Sequence, residues 1–298
     1  MNRRIFPWWT AIVAIAASTS ISGRFDRPAD AFSVAVTGRG RPIVLIPGLA
    51  TTGAVWDDAV ARWRGQYELH VLTLAGFGGP EAVGEPFLPR VARALVDYTI
   101  ERGLDRPVVI GHSLGAFVAF MAASSAPDRF GAVVAVDGVP FLPALMNPEA
   151  TAGGQTAQAA SIRALYASLT RDQFLTQNEL ALSAMITDPI NRQRAMGWAS
   201  QSDPAAVGIA VSEMLTTDLR EPIGAIKAPV LLIGAFGAAP DAMRGAMRSA
   251  YAAQVSRVPG ATVAFAETAR HFVMLDDPQW FFATVEPFLA ASAAAGGR

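Results

Sequence analysis

The sequence predicts an α/β protein: a mostly parallel, doubly wound sheet with a helical cap inserted into it. Strand-like and helix-like runs alternate, which is the pattern of parallel strands joined by crossover helices. Three runs, Pro107–Ile110, Ala132–Val136 and Val230–Ile233, are short and continuously apolar. That composition suits central strands buried on both faces. Between the last two lies a long stretch, Val139–Ala228, that holds no strong strand. It is far longer than a single crossover needs.

The length allows one large core, as one domain or as one domain with an insertion. The chain has 298 residues, of which 52% are hydrophobic and 16% charged. The formal net charge is −1 and the sequence holds no block of like charges. A nucleic-acid partner is therefore not expected, since such binding rests on clustered Lys and Arg. Cysteine is absent, which removes disulfides, thiolate metal sites and a cysteine nucleophile together. At the start, Arg3 and Arg4 precede an apolar run containing Ile12, Val13 and Ile15, and small residues follow from Ala16 to Ser22. Residues 1–22 therefore read as a signal peptide. The expected chain is exported to the periplasm or medium and begins between Ser18 and Arg24. A retained anchor is the alternative reading, but the run is short against the ~20 residues that span a bilayer, so no stable span is expected after processing. The rest divides into core residues 23–138, a helical cap at 139–228 and core residues 229–298.

In chain order, Phe32–Thr37 and Pro42–Ile46 flank Gly38-Arg39-Gly40-Arg41 and read as a hairpin opening the sheet. Glu68–Leu74 is the next strand. Leu88–Arg102 places Leu88, Val91, Leu95, Val96 and Tyr98 at helical spacing. The strand Pro107–Ile110 leads to a helix over Ala116–Ala123, and Ala132–Val136 follows. Within the cap, Gln158–Ser168, Arg171–Met185 and Ala205–Leu215 are helix-like, the last opened by Ser202-Asp203-Pro204, a capping residue ahead of proline. The cap is rich in large apolar residues (Phe141, Leu142, Leu145, Met146, Met185, Trp198, Met214); most are expected to pack it. Val230–Ile233 and Val263–Phe265 complete the sheet, and Pro278 opens a final helix through Phe288.

Gly111-His112-Ser113-Leu114-Gly115 sits between an apolar strand and a helix. That setting suits a sharp strand-to-helix turn, which exposes the serine hydroxyl and holds it at a helix N-terminus. A serine hydroxyl needs a base to take its proton, and histidine suits that role near neutral pH. Three histidines are present. His70 lies inside a strand and reads as structural. His112 neighbours Ser113 on a sharp turn, where adjacent side chains point apart. His271 lies in the loop after the last strand, on the strand-end side where parallel-sheet sites form. It is the expected base. Pro47-Gly48-Leu49-Ala50 follows a strand end, so the N–H of Leu49, paired with that of Leu114, could hold a developing oxyanion. Gly76-Phe77-Gly78-Gly79 reads as a structural turn.

With Pro-Ile-Val-Leu-Ile-Pro-Gly, Gly-Phe-Gly, Gly-His-Ser-Leu-Gly, Pro-Val-Leu-Leu-Ile-Gly and Arg-His-Phe-Val-Met-Leu-Asp-Asp-Pro in this order, the chain resembles the α/β-hydrolase superfamily over nearly all of its length after residue 22. It is most similar to the lidded serine esterases and to related lactone and carbon–carbon-bond hydrolases. The resemblance implies the α/β-hydrolase fold and a Ser–acid–His triad that needs no cofactor and no metal. Three positions depart from the family pattern: Pro47 stands where a histidine is common, Thr73 where an aspartate is common, and Ala238 near the usual place of the acid. Two carboxylates keep the required chain order. Asp137 ends the strand beside the serine's strand, and Asp241 follows Pro240 at what looks like a helix start. Asp137 is favoured, because a strand end is the more rigid platform. The expected function is hydrolysis of a small-molecule carboxylic ester through an acyl-enzyme. Lactone or carbon–carbon hydrolysis, a cofactor-free haloperoxidase-type activity, or a non-catalytic binding role on the same scaffold are the alternatives.

Overall fold

The computed structural model describes residues 31–296; the expected signal segment lies outside the described residues. Among them, one sheet holds seven strands: β1 (Phe32–Gly38), β2 (Arg41–Ile46), β3 (Tyr67–Leu74), β4 (Val108–His112), β5 (Ala132–Val136), β6 (Val230–Ala235) and β7 (Thr262–Ala266). Their order is β1-β3-β2-β4-β5-β6-β7. β1 runs antiparallel to β3, and every other pairing is parallel. The helices are α1 (Asp57–Trp63), α2 (Phe87–Glu101), α3 (Leu114–Ser125), α4 (Thr156–Ser168), α5 (Arg171–Met185), α6 (Pro189–Ala199), α7 (Pro204–Thr216), α8 (Asp241–Gln254), α9 (Val273–Asp276) and α10 (Pro278–Gly296).

Alternation along the strands builds a core on each face of the sheet. Val44, Ile46, Val109, Val133 and Leu232 pack with α2, α3 and α8. Ile43, Leu45, Ile110, Val134 and Ile233 pack with α1 and α10. α3 is apolar on all sides because it has neighbours on all sides: β4 and β5, then α2 and the short turn Pro222–Ala225. Each large side chain it buries, such as Phe117 or Phe120, contributes about 1.5–3 kcal/mol.

The expected hairpin does not form. β1 pairs with β3 and not with β2, so β3 lies between them. The reason lies in Gly38-Arg39-Gly40, which crosses over the start of β3. A Cβ on Gly38 would fall 2.2 Å from the Tyr67 carbonyl oxygen, and Gly38 takes a φ of +81°. The glycines thus permit a close crossing and not a two-residue turn.

Between β5 and β6 the chain is helical, with α4 to α7 and short 3-10 turns. Sequence reasoning found α4, α5 and α7 but missed α6. That helix carries the same start signal as α7: Asp188 caps it ahead of Pro189, as Asp203 does ahead of Pro204. Of the apolar residues expected to pack this segment, Phe141 and Trp198 are buried, whereas Met146 and Leu142 are exposed.

Among the bonds that tie the insertion to the core are two groups on opposite sides of it. On one side, the Asp203 N–H donates to the Gly76 carbonyl at 2.7 Å, and Phe77 bridges Ser202. There too, Glu213 of α7 accepts the N–H groups of Phe87 and Leu88, each at 2.7 Å. These are among the first N–H groups of α2, which have no partner within the helix. On the other side, Arg270 donates to the Ser183 carbonyl at 2.8 Å, Thr187 binds the Asp276 carboxylate, and Asn191 donates to the Leu275 carbonyl at 3.3 Å. The Gly76-Phe77-Gly78-Gly79 turn is therefore an anchor for the insertion, in keeping with its structural reading.

Candidate active site

Ser113 occupies the turn between β4 and α3 with φ 53° and ψ −116°. A non-glycine residue in this region is strained, and the surroundings must hold it there. They do so at three points. The Ser113 N–H donates to the Val136 carbonyl of β5 at 2.9 Å. The turn itself is tight enough that a Cβ on Gly111 would lie 2.1 Å from the Gly115 carbonyl oxygen. Gly138 presses from the other side, where a Cβ would come 2.2 Å from the Ser113 carbonyl oxygen. Leu114 is the first residue of α3, so its N–H has no acceptor within the helix.

The loop after β2 approaches the same point. A Cβ on Gly48 would lie 2.7 Å from His112 Nδ1 and 3.3 Å from Ser113 Cβ. Leu49 follows, and Ala50 turns the chain with φ 51°. Thr73, the departure at the end of β3, fixes the far end of this loop, since its hydroxyl accepts the Gly53 N–H at 2.9 Å.

The structure brings His271 and Asp137 together. His271 Nδ1–H donates to Asp137 Oδ2 at 2.7 Å, with the two side chains 24% and 10% exposed. Asp137 stands immediately after β5 with φ 46°, and its own N–H donates to the Ile233 carbonyl of β6 at 2.8 Å. Its Oδ1 accepts from the Ala235 N–H at 3.1 Å and from the Tyr251 hydroxyl at 2.7 Å. Asp241 is not part of this group. It opens α8, its side chain is 92% exposed, and it pairs with Arg244 at 3.1 Å.

The other two histidines are accounted for. His70 is fully buried between the Tyr98 hydroxyl at 2.7 Å and Glu68 at 2.8 Å. Burial holds it below the ordinary histidine value, against the pull of Glu68. His112 is also buried. Its Nε2 lies 3.1 Å from the His271 carbonyl oxygen; a carbonyl only accepts, so Nε2 carries the proton and donates. Burial, with His271 beside it, holds His112 well below the ordinary range, so it is neutral. Nδ1 then presents a lone pair with no partner, facing the space that Gly48 leaves open. The sequence singled out His112 only as a neighbour of Ser113; the hydrogen bond to His271 comes from a residue 159 positions away, which no local pattern encodes. Tyr251 was missed entirely, since it lies mid-helix among alanines. Among the described residues, no His, Asp or Glu cluster could hold a metal ion, and no helix is long and apolar enough to cross a membrane.

A mostly parallel sheet with a strained serine at the end of a central strand, a carboxylate just past the next strand, and a histidine from the loop after the last strand paired with it defines a class of enzyme scaffold rather than one reaction. The chain belongs to the alpha/beta hydrolase family, whose sequence model matches residues 43–284. Over 194 residues it is 27% identical to the pimeloyl-[acyl-carrier protein] methyl ester esterase of Aliivibrio salmonicida, covering 65% of this chain and 72% of that one. Among solved structures it is similar to a thermophilic esterase from Thermogutta terrifontis (TM-score 0.70, 19% identity, 88% of this chain and 93% of that one). It is also similar to the enol-lactonase from Burkholderia xenovorans (TM-score 0.69, 18% identity, 87% and 96%). These two likenesses concern the fold.

Proposed function

We propose that this protein is a serine hydrolase that cleaves a carboxylic ester through an acyl-enzyme. The observation that carries the reading is the 2.7 Å contact between His271 Nδ1 and Asp137, made beside a serine held at a strained strand-to-helix turn. In the proposed reaction, Ser113 Oγ attacks the ester carbonyl while His271 Nε2 takes its proton. The N–H groups of Leu49 and Leu114 hold the oxyanion of the tetrahedral intermediate. The intermediate collapses, and the departing alcohol takes the proton from His271. A water molecule, deprotonated by His271, then attacks the acyl-serine; Ser113 Oγ leaves with the proton from His271 and the acid is released. Asp137 keeps His271 in the Nδ1–H tautomer and stabilises the imidazolium. The esterase names of the relatives support ester cleavage.

The helical segment 139–228 is proposed to act as a cap over this site, shaping the acyl or alcohol pocket. The basic, then apolar, then small-residue start of the chain supports export; N-terminal sequencing of exported protein tests it, and an intact Met1 terminus would refute it. For the chemistry, a fluorophosphonate probe and a series of p-nitrophenyl esters form the test. The wild-type chain should label at Ser113 and turn over esters. Ser113→Ala should not label and should lose about a million-fold in rate while folding normally. A folded wild-type chain that neither labels nor turns over would instead mark a binding protein.

A further inference from the structure

We propose that Tyr251 is a positioning residue for the reaction: its hydroxyl holds the Asp137 carboxylate in the rotamer that faces His271 and draws charge away from it. The inference rests on the proposed function, in which Asp137 is the acid that supports His271. Asp137 carries three hydrogen bonds, and they are divided unequally. Oδ2 is given to His271 alone at 2.7 Å, whereas Oδ1 is taken by Tyr251 at 2.7 Å and the Ala235 N–H at 3.1 Å. The carboxylate cannot rotate about its Cβ–Cγ bond without breaking the bonds on Oδ1. The backbone N–H alone would fix one direction; the phenol supplies the second and the shorter.

Tyr251 is built into place for this contact. It reaches from α8 across β6, and the neighbouring strand residue is Gly234, where a Cβ would come 2.9 Å from the Tyr251 ring. The ring packs edge-on against Phe265 of β7 at 5.6 Å and is buried. Burial, and then the charge of Asp137, push the phenol well above its ordinary value, so it stays a donor throughout the working pH range. Tyr251 comes from α8, the Ala235 N–H from β6 and His112 from β4, while Arg244 and Arg248 of α8 turn away to Glu267.

A hydrogen bond donated to a carboxylate drains its charge. Removing it leaves more charge facing His271, which favours the imidazolium and moves the acid limb of the kcat/KM profile to higher pH. Loss of the fixed rotamer lowers kcat. Tyr251→Phe keeps the ring and removes one oxygen. The expected result in the full chain is a kcat lower by about tenfold to a hundredfold, the range carried by outer groups that orient a working histidine. KM should stay within about twofold, and the acid limb should move up. Placing 3-fluorotyrosine at position 251 strengthens the donor while adding only one fluorine to the ring, and should move the limb down. In an Asp137→Asn background, Tyr251→Phe should cost nothing further.

An unchanged kcat with an unmoved limb overturns the proposal. So does a loss of equal size in the Asp137→Asn background, which would make Tyr251 a general packing residue. If Asp137→Asn is itself fully active while Ser113→Ala is dead, the role of Asp137 fails and this inference fails with it. If Asp137→Asn is crippled and Tyr251→Phe is not, this inference alone falls.

Discussion

His271 is held from two sides, through its ring by Asp137 and through its carbonyl oxygen by His112. His70 has no comparable access, since both of its ring nitrogens are spent on Tyr98 and Glu68 in the interior. His271→Ala should therefore cost nearly as much activity as the serine substitution, while folded His70→Ala keeps its turnover; steady-state ester hydrolysis per folded molecule decides between them. The carboxylates separate in the same way. Asp137→Asn should lose about 10⁴-fold in kcat, because an amide cannot stabilise the imidazolium or enforce the tautomer. Asp241→Asn, at an exposed helix start, should lose less than about twofold by the same assay. Ser113 and His271 were legible in the sequence because each lies in a local pattern: a glycine-flanked turn and a loop past the last strand. The carboxylate was half legible. Chain order left Asp137 and Asp241 both open, and only the pairing of β5 with β4 and β6 decides which one reaches the histidine. Tyr251 was illegible, for its contact depends on an approach across β6 to a residue 114 positions earlier in the chain.

The elements show where local signals suffice and where they fail. Continuous apolar runs announced β4, β5 and β6, since a strand covered on both faces has no polar side to hide. The first two strands announced a hairpin that is absent, because strand pairing is non-local and the glycines that looked like a turn serve a crossing. The insertion's helices were mostly legible from their periodicity and caps; their attachment was not. Glu213 is the clearest case. Its carboxylate accepts two N–H groups at the start of α2, 126 and 125 residues earlier in the chain, and its charge also suits the positive end of that helix. Glu213→Ala leaves both donors short of a partner, and stability should fall by about 2 kcal/mol. A lower urea midpoint with an unchanged m-value would bear this out, whereas an unchanged midpoint would mean that water replaces the carboxylate fully.

For the molecule as a whole, the buried histidines set a direction for acid stability. His112 and His70 are both held below the ordinary histidine value of about 6.5, in each case mainly by burial. Above that pH neither the folded nor the unfolded chain binds the protons, and the two groups make no difference. As pH falls below about 6.5, the unfolded chain takes up protons that the folded chain refuses, so stability declines until the folded values are reached. Urea midpoints should therefore drop between about pH 7 and about pH 5, and His112→Asn should make the drop shallower; a flat profile across that interval would contradict it. A different consequence follows from Asp137 standing just past β5. The stretch joining β6 to α8 is left without a part in the chemistry. Gly237 is pinned by its N–H to the Ala269 carbonyl at 2.8 Å, but Ala238 beyond it is exposed. α8 has its own hold on the insertion through Gln254, which bonds both the N–H and the carbonyl of Phe141. Only the turn bond from the Ala239 N–H to the Phe236 carbonyl at 2.8 Å spans Ala238, so chain length can vary there at the cost of that one bond. A flexible graft of about ten residues there costs loop entropy that grows by only about 0.6 kcal/mol per doubling, and kcat/KM should stay within about threefold. The turn is a splice point, a few positions along the chain from the Ala235 N–H that holds Asp137 and yet outside every bond that the reaction uses, so a peptide or domain could be grafted there without touching the chemistry.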